Sequence, residues 1–235
     1  MKLKERILGY FTKFELWLWC SSCVLILTSS LIFGKDGVLS LVASIIGVTS
    51  LILGAKGNPI SQFLMIIFSL LYGVISYSFS YYGEMITYLG MSGPMALFAL
   101  ISWLKNPYKG NKSQVAVNSI KRKEVVFMLV LSAVVTGIFY FILKYFNTAN
   151  LIFSTLSVTT SFIAVYLTFR RSPFFALVYA LNDIVLIVLW VAAAFSDVSY
   201  ISVVICFVVF LVNDLYGFYS WLKMAKRQKT DKTDQ

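Results

Sequence analysis

Eight apolar runs, each close to the ~20 residues that cross roughly 30 Å of hydrocarbon, dominate this sequence. They fall at about 14–33, 38–54, 60–80, 84–104, 124–146, 151–169, 174–195 and 199–222, the second being the shortest. Such a chain has little choice of fold. Backbone N–H and C=O groups in lipid must be satisfied within helices or a closed barrel, and runs of this length read as helices. Composition agrees, at 59% hydrophobic and 13% charged residues with a mean hydropathy of +0.83. An all-α integral membrane protein with eight transmembrane helices is predicted. The opening MKLKERILGYFTKFELWLWCSSC lacks a short apolar core followed by a small-residue cleavage site, so the first span is expected to be retained.

The formal charge of +10 does not point to nucleic acid, because the basic residues lie between or beyond the apolar runs. Topology accounts for them. With both termini cytoplasmic, eighteen of the twenty Lys and Arg lie inside and only Lys35 and Lys144 outside, as the positive-inside rule requires; seven spans would break that agreement. Cys20, Cys23 and Cys206 all lie in apolar runs, where a C-x-x-C spacing reads as small packing residues.

The chain also echoes itself. KGNPISQF at 56–63 and RRSPFFAL at 170–177 each open a span with a proline, 114 residues apart, at a point where the missing N–H costs nothing. ISWLK at 101–105 answers YSWLK at 219–223, 118 residues on. The predicted units are 1–37 (tail and an extra helix), 38–105 (a three-helix repeat), 106–150 (loop and connector helix), 151–223 (a second repeat) and 224–235 (a solvated, disordered basic tail). This is a 3+1+3 arrangement of parallel repeats plus one N-terminal helix, with a substrate pathway expected between the repeats.

Two apolar runs carry polar pairs, Asn182–Asp183 in YALNDIVLIVLW and Asn213–Asp214 in FLVNDLYGFYSW. A carboxylate facing lipid costs a few kcal/mol, so both must face protein or a wet cavity. Asp183 and Trp190 lie two turns apart on one face, and Asn213, Tyr216 and Ser220 share another. The asparagines could be interhelical glue, but two acids with no basic partner in any span fit a site for a cation better. In SYSFSYYGEMITY, Tyr77, Tyr81, Tyr82 and Tyr88 read as an interfacial belt. Glu84 reads equally as a cap near the helix dipole or as part of a site.

Absences narrow the class. There is no His for a proton relay or zinc site and no nucleotide-binding loop, since KGNKS at 109–113 lacks the glycine spacing and flanking strand. Catalysis therefore has nothing obvious to stand on, and no cofactor is expected. No Lys or Arg lies mid-span, which disfavours anionic substrates. A flat cationic ring would gain cation–π contact with Trp190 and the tyrosines and attraction from Asp183 or Asp214.

The two N-D spans, YYGEM at 81–85 and the proline-opened spans together resemble the PnuC family of bacterial vitamin transporters over about residues 14–224. The resemblance implies a doubled SWEET-like three-helix unit in a bacterial plasma membrane. It also implies facilitated diffusion (uniport) of nicotinamide riboside for NAD biosynthesis, with a cytoplasmic riboside kinase trapping the product. It carries over Asn182, Trp190 and Asn213 as substrate contacts, to which physical reasoning adds Asp183, Asp214, Tyr216 and Glu84. In FLMIIFSLLYG, Phe68 or Ser69 stands where relatives can carry Asn, which implies an asymmetric site. A thiamine uniporter of the same fold is the alternative. A subunit energised by a partner ATPase and a membrane enzyme are further readings. The first span could pack between copies of the chain.

Overall fold

The computed structural model describes residues 9–34, 37–78, 82–148 and 150–233, without the side chains of 232 and 233. Lys2, Lys4, Arg6, Lys35 and Tyr81 lie outside the described residues. Eight helices are long and apolar enough to cross a membrane. They are α1 (Lys13–Phe33), α2 (Gly37–Ala55), α3 (Ile60–Ser78), α4 (Tyr82–Leu104), α5 (Arg122–Tyr145), α6 (Leu151–Phe169), α7 (Phe174–Ala194) and α8 (Ile201–Thr233). A 3-10 turn at Val198–Tyr200 leads into α8, and a short hairpin of β1 (Pro107–Tyr108) and β2 (Asn111–Val115) lies between α4 and α5.

Local chemistry sets the helix ends. Thr12 caps α1, accepting from Glu15 N (3.2 Å), while Glu15 Oε2 accepts from Thr12 N (2.7 Å), a reciprocal box that fixes the start. Pro59 and Pro173 sit immediately before α3 and α7, as expected of residues with no N–H to donate. Midway along α4, Tyr88–Ser92 form a π turn in which Gly93 N donates to Tyr88 O. Pro94 follows directly; it supplies no N–H and crowds the carbonyl four residues back, so the helix widens there by one residue.

Helices α2 to α4 and α6 to α8 meet at the end of the bundle that carries the basic loops, and their closing contacts occur twice. Trp103 Nε1 donates to Thr168 O (2.9 Å) and Trp221 Nε1 to Gly54 O (2.7 Å). Beside them, Ser102 Oγ donates to Phe169 O (2.8 Å) and Ser220 Oγ to Ala55 O (2.7 Å). Trp103 and Trp221 are fully buried with ring centroids 5.4 Å apart, and Phe175 stands edge-on to Trp221 at 4.9 Å. These rings join Val115, Met128, Tyr166, Leu167, Ala176 and Met224 in one apolar cluster.

One expectation needs correction at this end. Residues 224–233 are not a disordered tail, since α8 continues to Thr233. Gln228 is buried and explains it: its Oε1 accepts from Val117 N (2.8 Å) and its Nε2 donates to Val115 O (3.1 Å), while Tyr108 donates to Asp231 (2.5 Å). The 106–121 connection also bonds to both halves. Val115 N donates to Gly57 O (2.9 Å) and Asn118 N to Arg171 O (3.0 Å), one bond to each interhelical turn.

Candidate functional site

Above the Trp103–Trp221 floor lies a cavity of about 180 Å3, walled by residues of α2, α3, α4, α6, α7 and α8 together with Leu143 of α5. Phe175 and Ala176 belong to both the apolar floor and the cavity wall, so the cluster closes the cavity toward the basic loops.

The cavity gathers most of the residues singled out in the sequence. Glu84, Asn182, Asp183, Trp190 and Asp214 all line it. Asp183 and Asp214 are 4% and 5% exposed, and their carboxylates lie within hydrogen-bond reach of each other. Asp183 Oδ2 has no hydrogen-bond partner among the described residues. Asn182 is held by α6, with Thr160 Oγ1 donating to its Oδ1 (2.7 Å). Tyr179, one turn before Asp183, also faces the cavity. No Lys or Arg is among the described lining residues, so three carboxylates face a space to which these residues bring no countercharge. That arrangement costs several kcal/mol unless a cation, or protons, enter with it.

Asn213 and Tyr216 are elsewhere. Both turn to α1, where Asn213 Nδ2 donates to Ser22 Oγ (2.9 Å) and to Val209 O (2.9 Å), and Tyr216 OH donates to Glu15 Oε1 (2.9 Å). The shared face read from the spacing is real, but it packs against a neighbouring helix; Asp214, rotated by one residue, takes the cavity instead. Both side chains thus bond across helices, as polar groups in bundles commonly do.

The rings of the cavity were only partly foreseen. Tyr77 is 64% exposed and pairs with Tyr82 near the outer surface, as an interfacial belt would. Tyr88 instead enters the cavity and packs on Tyr72 (5.2 Å) and Phe68 (6.2 Å); Phe68 and Tyr72 are 4.6 Å apart. Trp190 stacks tilted on Tyr200 at 5.2 Å. Tyr72 was missed because FLMIIFSLLYG reads as uniformly apolar. The usable signal was the seven-residue spacing of Gln62, Ser69 and Ser76, all buried, which marks the inward face of α3. Phe68 and Ser69, 114 positions before Asn182 and Asp183, both line the cavity, and Ser69 Oγ has no partner among the described residues.

Eight spans around an acidic, aromatic-walled cavity describe a multi-pass membrane transporter. The family model described as Nicotinamide mononucleotide transporter matches residues 37–223, and the chain belongs to that family. It is 28% identical over 200 residues to the nicotinamide riboside transporter PnuC of Neisseria mucosa, covering 83% of this chain and 74% of that one. Its fold matches the crystal structure of the vitamin B3 transporter PnuC with a TM-score of 0.80 at 23% identity, over 97% of this chain and 100% of that one.

Proposed function

We propose that the protein carries nicotinamide riboside across a bacterial plasma membrane by uniport, with both termini cytoplasmic. One observation carries the choice of substrate: among the described residues the cavity presents Glu84, Asp183 and Asp214 and no Lys or Arg. A pyridinium cation bearing a hydroxyl-rich ribose suits such a lining, its charge near the aspartate pair and its ring against Trp190 or the Phe68–Tyr72–Tyr88 group. A mononucleotide would bring a phosphate that this cavity cannot pair. Asn182, Asp183, Trp190, Asp214 and Glu84 are the proposed contacts, with Asn213 and Tyr216 acting through α1.

Alternating access follows from the duplicated closing contacts, which support reading α2–α4 and α6–α8 as parallel repeats that rock about the cavity. Net uptake would then depend on a cytoplasmic kinase that traps the riboside for NAD synthesis. Titration calorimetry of the detergent-purified protein with nicotinamide riboside, the mononucleotide and thiamine tests the substrate. Binding of the riboside alone is expected. Thiamine binding alone would keep the mechanism and change the substrate, whereas tight mononucleotide binding would overturn the electrostatic reasoning.

A further inference from the structure

A second cavity, of about 220 Å3, opens at the end of the bundle away from the basic loops, between α1, α2, α3 and the approach to α8. It meets the central cavity at Tyr72, Glu84, Trp190 and Val203, which line both. It therefore adjoins the central cavity on that side.

Its polar lining is hydroxyl and carboxylate. Ser29 Oγ donates to Ile26 O (3.1 Å), Ser44 Oγ to Ser40 O (2.9 Å) and Ser202 Oγ to Ser199 O (2.8 Å), so each hydroxyl proton is committed to its own helix. What these serines turn to the cavity is therefore oxygen lone pairs. Glu84 and Asp197 add carboxylates, the latter accepting from Ser199 N (2.9 Å) through Oδ1, and no Lys or Arg is among the described residues that line the space. Serines at helix contacts usually let helices approach closely, but here they border open volume. Trp190, packed on Tyr200, supplies a flat wall at the neck.

We propose that this vestibule is a second binding station, which holds a cationic, hydroxyl-rich N-glycoside by its ribose hydroxyls before the ligand moves past Trp190 to the aspartate pair. Two carboxylates, with no Lys or Arg among the described lining residues, favour a ligand that brings positive charge over one that brings phosphate. The proposal rests on the riboside reading of the central cavity.

Saturation-transfer NMR with nicotinamide riboside separates the two stations. In the Asp183→Asn/Asp214→Asn variant, which removes both central charges, the ribose protons should still receive saturation from the protein. The signal should vanish when Asp197→Asn and Ser202→Ala are added, Asn being able to keep the cap on Ser199 N. In vesicles of the otherwise native protein, Asp197→Asn with Ser202→Ala should raise the uptake KM about fivefold for each acceptor lost, and leave the calorimetric Kd of the central site unchanged. Loss of saturation transfer on removing the central aspartates alone would leave one station and overturn the proposal, as would a Kd that rises in step with KM. If the native protein binds no riboside, the central reading fails and takes this one with it. That outcome is recognisable because it appears before any substitution is made.

Discussion

The first and second halves of the chain close the bundle with the same bonds, yet they furnish the cavity with different chemistry. At the turns Lys56–Pro59 and Arg170–Pro173 the backbones match step for step. Gly57 N donates to Gly54 O (2.8 Å) and Arg171 N to Thr168 O (2.9 Å); Asn58 N donates to Leu53 O (3.1 Å) and Ser172 N to Leu167 O (3.0 Å). Gly57 and Arg171 both have positive φ, at 68° and 56°. In the cavity the correspondence ends, because Phe68–Ser69 stand opposite Asn182–Asp183 in the alignment and Met95–Ala96 opposite Asn213–Asp214. The closing contacts, a gate if the halves rock as proposed, repeat their hydrogen-bond geometry, whereas the aspartate pair comes from the second half alone and the first half supplies Glu84.

The sharpest way to break this comparison is to remove matched polar groups from the cavity. Asp183→Asn should weaken binding of nicotinamide riboside about 100-fold, the loss of one charged partner in a water-poor site, while a neutral analogue loses far less. Ser69→Ala at the matching position should change either affinity by less than about threefold, because this hydroxyl is neutral and bonded to nothing described. Calorimetry on both variants decides. Equal losses for cation and neutral analogue would mean that Asp183 shapes the cavity and does not supply its charge.

The halves also tie their turns to a preceding helix in parallel ways. Lys56 pairs with Glu15 (3.0 Å) in the first turn of α1, and Arg170 with Glu124 in the first turn of α5, each acid at the third helical position. On this evidence α1, expected to be an extra helix, serves the first turn as α5 serves the second. The burial differs: Glu15 is 3% exposed and Glu124 20%. Glu15→Gln should therefore cost about 2 kcal/mol, since it also strands Tyr216 and Lys56, and Glu124→Gln less than about 1 kcal/mol. Thermal unfolding in detergent measures both, and equal shifts would erase the distinction.

Local sequence carried the spans, the two proline turns and the acid pairs, because hydropathy, helix-start chemistry and the cost of a buried charge act within a few residues. What it could not carry was the direction of each face. Asn213 and Asp214 are adjacent and equally polar, and only the position of α1 decides that the first meets Ser22 and the second the cavity. The order of residues 224–233 was equally hidden. KRQKTDKT reads as a solvated run until Gln228 finds the backbone of Val115 and Val117 more than a hundred residues away. Tyr72 was legible in principle, through the serines and glutamine that share its helix face.

A smaller effect should separate gate from cavity again. Trp103→Phe and Trp221→Phe each remove one N–H from a buried carbonyl and leave a slightly smaller ring, for about 1.5 kcal/mol each. Because the two bonds are equivalent and both indoles are fully buried, the two losses should agree within about 0.5 kcal/mol. A strong inequality in the thermal midpoints would show that one turn holds the gate and the other merely resembles it.

The smallest effect tests why one turn uses glycine and the other arginine. At Gly57 a Cβ would meet Met224 Cε at 3.2 Å and Val115 Cγ1 at 3.3 Å, both flexible ends, on a backbone that also disfavours any side chain. Gly57→Ala should cost about 1 kcal/mol. Arg171 adopts a similar backbone, its carbonyl accepting from Asn118 N, and its guanidinium reaches Ser102 Oγ at a weak 3.4 Å. Arg171→Gly relieves that strain but adds freedom to the unfolded chain, so the net change should stay within about 0.5 kcal/mol of zero. If Arg171→Gly instead costs as much as Gly57→Ala, its side chain is fastening the second turn, and the two halves differ at the gate as well as in the cavity.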